Sequence, residues 1–363
     1  MECLLNIVFS SINYIIQTIM YKEYNSNMQQ YDQYDNSLLF VKYIMTIIVI
    51  INHCLTHYNI SSYNIGISAV PIFFFISGFT LYLSLEKKGH SKQYNKRRIL
   101  RIFPELWVTV ILGSIVIVLQ YPNVLKEWGF YAFNVTQATF LQFWTPSCLS
   151  MYGCGVPNGA LWTICVTLQF YILLYIFYPY IKKNTFEKDI LILVVLIIIN
   201  PCFSYLQYCL PEIMYKLVCQ SIIPFMYMFY FGIVMSKYFN NYIEYIDKYF
   251  YIILILYVGL YFIRGYLNEI PHVYLTQGPV PCIIDFIFCL SFAYKIKIKI
   301  SIDIQYGMYL NHMIVVNYFL HNNILIDNNV IRIIATIFLS IILGFLSKIV
   351  TSSFKRTTDR INI

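Results

Sequence analysis

Long apolar runs recur along the whole chain and are separated by short polar segments. Each run has roughly the length of an α-helix that crosses the hydrocarbon core of a bilayer, about 20 residues. The pattern therefore predicts an all-α fold, a polytopic membrane bundle with about ten transmembrane helices. The predicted spans are residues 38–57, 67–85, 104–121, 160–181, 189–207, 220–236, 249–264, 279–294, 304–322 and 329–347.

The regions around these spans divide the chain into three parts. We predict a polar cytoplasmic N-terminal segment at 1–37, a transmembrane domain at 38–350 and a cytoplasmic tail at 351–363. Residues 4–20 are apolar and are a possible extra helix, but they lack the basic start of a cleavable signal peptide. Residues 128–144 are less apolar, which favours a re-entrant or interfacial piece within a long loop.

Composition agrees with a membrane protein and excludes several other classes. Of the 363 residues, 59% are hydrophobic and 12% are charged, about half the charged fraction of a soluble domain. The mean hydropathy is +0.63. The net charge is +8, and in a polytopic protein such an excess usually lies in cytoplasmic loops. We therefore expect membrane lipid as a partner and no nucleic acid.

The basic residues also predict an orientation. If the first span runs from inside to outside, 21 of the 25 Lys and Arg residues fall in regions on the inside. Because Lys and Arg bias decides orientation, we predict a multi-pass protein of the cell membrane with both termini in the cytoplasm. The inner regions are residues 1–42, 86–103, 182–188, 237–248, 295–303 and 348–363.

The ten cysteines give no metal motif. No CxxC pair is present, and no Cys and His spacing is that of a zinc finger. Cys148 and Cys154 share one predicted outer loop, so a disulfide between them is open, since close spacing alone does not fix its geometry.

Ionisable groups inside spans are costly and are therefore candidate functional residues. His53 lies in the outer third of the first span, and His57 follows on the same helix face. Two histidines at this spacing could ligate a metal, but no third ligand is evident, so we predict no metal site. His312, Asp285 and Glu105 lie within other spans. Each of the five has a structural alternative, such as a helix–helix hydrogen bond or an ion pair.

The inner loop EKKGHSKQYNKRRILR carries seven basic residues between positions 87 and 101. It fixes topology and attracts anionic lipid, or it binds the phosphates of a cytoplasmic nucleotide or coenzyme. The charge pattern alone leaves both interpretations open.

Five segments in order resemble the acyltransferase type 3 family, which are membrane O-acyltransferases of bacterial polysaccharides and related molecules. They include AVPIFFFISGFTLYL, with Ser77 and Gly78, and KRRILRIFPELWV, with Arg98 and Arg101. They are residues 42–53, 69–83, 96–108, 160–175 (with Trp162 and Gln169) and 305–315 (with His312). Residues 35 to about 350 are covered by this ordered set.

Two positions depart from the pattern of the family. Thr167 occupies the place of the family's usual Glu, and Lys42 the place of its Arg. Lysine and arginine are not equivalent where a planar fork is needed. The missing carboxylate therefore makes an inactive relative a competing interpretation.

The resemblance implies transfer of an acetyl-type group from acetyl-CoA or a similar acyl-CoA to a hydroxyl of a sugar, with no bound cofactor. His53 matches the catalytic histidine, and Lys42, Arg98 and Arg101 would bind or orient the donor. Ser77, beside Gly78, is expected to allow close helix approach. Eleven residues separate Lys42 from His53, or roughly 16 Å of helix, which is half the hydrocarbon core. Donor from inside would then meet an acceptor from outside.

Other functional classes remain as alternatives. A flippase or exporter of lipid-linked sugars would also carry polar groups in its spans, but it often has internal repeats, and none is evident. The other large membrane O-acyltransferase family places its His and Asn in a different order. The acyl group, the acceptor glycan and the oligomeric state do not follow from the sequence.

Overall fold

The computed structural model describes residues 37–60, 65, 67, 69–91, 93–142, 144–267, 278–296, 298 and 300–361. The predicted extra helix at 4–20, and all but the last residue of the N-terminal segment 1–37, lie outside these residues. The described parts consist of helices, turns and loops, with no strand among them. This confirms the all-α prediction.

Thirteen α-helices are present in the described parts of the chain. They are α1 (Ser37–His57), α2 (Ala69–Lys88), α3 (Gln93–Gln120), α4 (Trp128–Gln137), α5 (Trp162–Lys183), α6 (Phe186–Cys209), α7 (Glu212–Cys219), α8 (Met226–Lys237), α9 (Phe239–Lys248), α10 (Phe250–Leu267), α11 (Pro279–Ile296), α12 (Gln305–His321) and α13 (Asn329–Ile361).

Every predicted span coincides with a helix. Six helices of the described chain are long and apolar enough to cross a bilayer, and a bent pair, α9 with α10 at 78°, makes a possible seventh. The 24 residues of α6, and the shorter α8 and α12, also occupy predicted spans. The structure is thus a polytopic membrane bundle. The segment at 128–144 forms the short helix α4 and not a span.

Helices α2 and α8 make the closest approach at the centre of the bundle. A Cβ added at Gly78 would lie 2.0 Å from the carbonyl oxygen of Phe229, and one added at Gly232 would lie 2.0 Å from that of Phe75. Only glycine fits at either position, because both neighbours are backbone atoms that cannot turn aside. Phe75, Phe229 and the rings around them then fill the core on both sides of this crossing.

We expect Gly78→Ala to destabilise the fold by about 1–3 kcal/mol or more, because the new methyl group forces α2 and α8 apart. The measurement is the thermal unfolding temperature of the purified protein in detergent. Gly259→Ala is the matched control, since a Cβ there meets nothing within 4 Å. Equal unfolding temperatures for the two variants would contradict the close crossing.

The loops that the charge pattern assigns to the inside lie together at one end of the bundle, here called the inner end. Ion pairs join them across the sequence, and both partners of each pair come from predicted inner regions or the adjoining helix ends. The pairs are Arg101–Asp303, Lys182–Glu86, Lys237–Asp189, Lys295–Asp247 and Lys348–Glu105. These five pairs show that the described parts of the predicted inner loops lie near one another, while their orientation in the membrane stays a prediction.

The long loop between α3 and α5 covers the opposite, outer end. The side chain of Asn317 on α12 accepts a hydrogen bond from the amide of Cys154 at 2.8 Å and donates to the carbonyls of Val156 and Pro157. Asn158 donates to the carbonyl of Leu310 at 2.9 Å. The end of this loop is thus bound to α12. Cys148 and Cys154 are free thiols, not a disulfide.

Candidate active site

A cavity that is partly open to solvent runs between α1, α2, α3, α5 and α12. Its lining changes from basic at the inner end to apolar and hydroxyl-bearing towards the outer end. The side chains that line it are Lys42, Val70, Phe73, Phe74, Ser77, Thr80, Leu81, Arg98, Arg101, Ile102, Thr163, Ile164, Thr167, Tyr171, Gln305, Tyr306 and Tyr309.

The inner end of this cavity carries three cations. Lys42 comes from α1, whereas Arg98 and Arg101 lie on successive turns of α3. These are the three residues for which the sequence suggested donor binding, and the fold brings all of them to one cavity. Arg101 pairs with Asp303 at 3.5 Å, but its side chain stays 55% exposed. Three positive charges border this mouth, with Asp303 and Glu105 as carboxylates near Arg101, which makes the mouth a candidate site for an anion.

Arg98 is held by aromatic rings. Its guanidinium carbon lies 5.1 Å from the ring centroid of Tyr94 and 5.7 Å from that of Tyr171. Contacts of this kind stabilise a guanidinium without using its N–H donors. The Nε–H of Arg98 is buried and makes no hydrogen bond. Arg98 therefore keeps its buried Nε–H donor unused beside the cavity.

The middle of the cavity contains Ser77 and Thr167. The close helix approach belongs to Gly78, while the neighbouring Ser77 faces the cavity. The hydroxyl of Thr167 donates to the carbonyl of Thr163 at 2.8 Å, within the same helix. The position at which the family has a carboxylate is thus in the cavity wall, and here it presents a hydroxyl that is already bonded.

A histidine cluster lies beyond the outer end of the cavity. Nδ1 of His53 is 3.4 Å from Nε2 of His57, and the ring of His53 lies 5.1 Å from that of His312. His312 is completely buried. His53 and His57 are partly exposed. The third histidine comes from α12, far away in the sequence, and it is the partner that the first span alone did not reveal.

The hydrogen positions on His312 follow from its neighbours. Its Nδ1 is 2.6 Å from the carbonyl oxygen of Tyr309, and a carbonyl only accepts, so Nδ1 carries the hydrogen. In the neutral ring Nε2 is then an acceptor. This Nε2 is buried without a hydrogen-bond partner. An unused buried acceptor beside His53 is costly for stability and marks a site for a donor such as a hydroxyl.

Tyr309 separates the cavity from these histidines. Its ring lines the outer end of the cavity, and it also packs on the ring of His312 at 5.8 Å. Its hydroxyl lies 3.0 Å from that of Thr163. Neither Tyr309 nor Thr163 stood out in the sequence, where a tyrosine and a threonine in apolar spans look like ordinary core residues.

Three other predicted signature positions have structural places outside the cavity lining. Trp162 packs against the ring of Phe225. Gln169 accepts from the amide of Ile222 at 3.1 Å and donates to the carbonyl of Gln220, which fastens the turn before α8. Gly78 forms the helix crossing described above. Their geometry assigns them to positioning the helices.

The intramembrane carboxylates also lie away from the histidines. Glu105 pairs with Lys348 at 3.6 Å near the inner end. Asp285 is fully buried in α11 and does not line the cavity. Although His312 joins His53 and His57, no group of three His, Cys, Asp or Glu side chains in the described parts has a metal-binding arrangement. The absence of a metal from the reaction stays a prediction.

Fold and site together define a multi-pass membrane protein with a basic mouth, a cavity that is partly open to solvent and histidines beyond it. The chain matches the acyltransferase domain of the acyltransferase 3 family over residues 35–349, and it belongs to that family. The predicted resemblance is thereby confirmed.

Two curated relatives match a part of the chain. Nodulation protein 10 of Rhizobium leguminosarum bv. viciae is 34% identical over 116 residues, which are 29% of this chain and 31% of the relative. Acyltransferase MdmB of Streptomyces mycarofaciens is 25% identical over 119 residues, or 33% of this chain and 30% of the relative. The chain thus matches about a third of the length of each. No solved structure matches it.

Proposed function

We propose that the protein is a membrane O-acyltransferase that moves an acetyl-type group from acyl-CoA to a hydroxyl of a sugar in a surface or lipid-linked glycan. One observation carries the proposal. A single cavity has Lys42, Arg98 and Arg101 at its inner end and Tyr309, in contact with the His312–His53 pair, at its outer end. This is the order in which a phosphate-bearing thioester from the cytoplasm would meet a base.

The chemistry requires only groups of this chain and the two substrates. An alcohol is a poor nucleophile at neutral pH, so His53 takes the hydroxyl proton while the oxygen attacks the thioester carbonyl. The new C–O bond forms, the C–S bond breaks, and the thiolate of CoA takes the proton from His53. Lys42, Arg98 and Arg101 bind donor phosphates, for which an arginine fork is suited.

The setting of this reaction is the cell membrane, with both termini in the cytoplasm. The basic mouth lies at the inner end, where 21 of the 25 Lys and Arg residues are predicted. Acyl-CoA is made on that side. One relative is named as an acyltransferase and the other as a nodulation protein. Family membership supports the transfer reaction, and the sugar acceptor is our proposal.

The test is transfer of radiolabelled acetyl from acetyl-CoA to glycan in membranes with and without the protein. We expect glycan-bound label only with the protein, and we expect mild base to release it, because the new bond is an ester. Hydrolysis of labelled acetyl-CoA without any label on glycan would contradict the proposal. Movement of unlabelled lipid-linked sugar across the membrane without acyl transfer would favour the flippase.

The substitution at Thr167 provides a test of the inactive alternative. The hydroxyl of Thr167 faces the cavity where the family has Glu. We expect the parent chain to transfer label without that carboxylate. If only Thr167→Glu transfers label, the parent is an inactive relative.

Donor binding by Arg98 gives a separate prediction. We expect Arg98→Gln to raise KM for acetyl-CoA about 10- to 100-fold, because a hydrogen bond to a charged group contributes about 1.5–3 kcal/mol. Arg98→Lys should restore little, since an ammonium lacks the planar fork with which a guanidinium binds a phosphate. Initial rates over a range of acetyl-CoA concentrations measure both effects.

The neighbouring Arg97 is the matched control for this experiment. It is exposed and does not line the cavity, so Arg97→Gln should leave KM close to that of the parent. If both substitutions raise KM equally, the loop attracts the donor by its overall charge and Arg98 has no special place.

A further inference from the structure

The outer end of the cavity is closed by side chains from three helices. Phe73 of α2 meets the ring of Tyr309 of α12 edge-on, with 5.6 Å between the centroids. On the other side Thr163 of α5 meets the Tyr309 hydroxyl at 3.0 Å. These three residues line the cavity, whereas the three histidines do not. They form the end wall between the cavity and the histidine cluster.

Hydrogen bonds hold this end wall in place. Thr163 donates its hydroxyl hydrogen to the carbonyl of Ala160 at 3.0 Å, and the Tyr309 hydroxyl lies 3.0 Å from the Thr163 hydroxyl and 3.4 Å from the same carbonyl. Tyr309 is 6% exposed. Its main-chain carbonyl accepts from His312, which couples the wall to the cluster behind it. A ring that is held at its hydroxyl, its edge and its backbone blocks the cavity for as long as these contacts persist.

We propose that Tyr309 limits the length of the acyl group that the donor carries, so that acetyl and other very short chains are the substrates. The inference rests on the proposed function. Along α2 the cavity extends from Thr80 near the basic mouth to Phe73 of the wall, seven residues or about 10 Å of helix. A donor held by its phosphates at the mouth reaches the wall with its thioester end, and the acyl chain stops against Tyr309.

Two consequences follow from a stop at this place. Each extra methylene on the acyl group has to displace packed side chains, and one methylene in a well-fitted pocket changes selectivity by about 10- to 200-fold. Turning the Tyr309 side chain away from Thr163 opens the path to His53. Tyr309 is therefore a specificity-determining residue and not a catalytic residue, because it carries no proton or acyl group.

The experiment compares acetyl-, butyryl- and hexanoyl-CoA as donors for the parent and for Tyr309→Ala. For the parent we expect butyryl transfer to be at least about tenfold slower than acetyl transfer. In Tyr309→Ala we expect the ratio of the butyryl rate to the acetyl rate to rise by about tenfold. Tyr309→Phe keeps the ring and should keep the profile of the parent. An unchanged ratio in Tyr309→Ala overturns the proposal.

Tyr306 is the matched control. It lies one turn from Tyr309 on α12 and lines the same cavity, but its hydroxyl reaches towards the carbonyl of Ile102, 3.3 Å away, at the basic end. Tyr306→Ala enlarges the cavity without removing the end wall, so it should leave the chain-length ratio of the parent unchanged even if it slows every donor. An equal shift in both alanine variants overturns the assignment to Tyr309.

A binding measurement separates this inference from the transfer reaction. Acetyl-, butyryl- and hexanoyl-CoA compete for labelled CoA on the purified parent, on Tyr309→Ala and on Phe73→Ala. Phe73→Ala opens the same wall if Tyr309→Ala does not fold. Weaker binding of longer chains by the parent, relieved in either variant, supports the end wall even where no acyl transfer is found. Binding that is independent of chain length overturns it while leaving the proposed function intact.

Discussion

His53→Ala should reduce acetyl transfer by about 100- to 10,000-fold, the range in which a positioned acid or base contributes to catalysis. The imidazole is partly exposed, beyond the end of the cavity, with His57 at 3.4 Å and the ring of His312 at 5.1 Å. His57 is also partly exposed and lies on α1, but His53 alone stands at the histidine position of the family pattern. The measurement is the rate of radiolabelled acetyl transfer in membranes that contain equal amounts of protein.

Two histidines serve as controls for His53→Ala. His321 also lies towards the outer end, where it packs against Tyr152, and His321→Ala should transfer acetyl at nearly the rate of the parent. His57→Ala should give an intermediate rate, because its ring positions His53 and does not replace it. If His53→Ala keeps its activity while His57→Ala or His312→Ala loses it, the base is a different member of the cluster.

Lys237→Met should destabilise the protein by about 3 kcal/mol. Removing one partner of a buried ion pair costs about 3–5 kcal/mol, and we expect the low end because other donors remain. Lys237 lies 2.7 Å from Asp189, whose side chain is 1% exposed. The hydroxyls of Tyr230 and Tyr238 and the amide of Asn184 also donate to this carboxylate. Thermal unfolding in detergent measures the loss.

Lys237 also donates to the carbonyls of Ile181 and Asn184, so it fastens the turn between α5 and α6 to α8. Adding Asp189→Asn to Lys237→Met should recover much of the stability, because no uncompensated charge is then buried. Lys182→Met is the control, since its pair with Glu86 is half exposed and such pairs contribute little. A loss in Lys182→Met as large as that in Lys237→Met would show that burial is not the reason.

The fold class could be predicted from the sequence because it depends on local properties. A bilayer requires about 20 apolar residues for each span, and that requirement can be counted along the chain. The distribution of Lys and Arg along the chain predicted which loops share the inner end, and ion pairs of the structure join loops of that set. His53 stood out because ionisable groups in apolar helices are rare, whereas Lys42 and Arg98 stood out by their places in the family pattern.

The arrangement of the site was decided by tertiary packing. Helical periodicity fixes which residues share a face of one helix, but not which helices face each other. His312 came to lie beside His53 only because α12 packs near α1, and Tyr309 became an end wall only because Thr163 and Phe73 meet it from two further helices. Ser77 likewise differs from expectation, since Gly78 makes the crossing and leaves its neighbour facing the cavity.

The sequence by itself therefore determined an all-α membrane bundle, its family and the single residues whose charge or ring conflicts with an apolar environment. The tertiary structure alone decided which of them share one cavity and which core residues close it. The physical reason is that hydrophobicity and charge are properties of each residue, whereas a cavity wall is a property of contacts between helices that are distant in the chain.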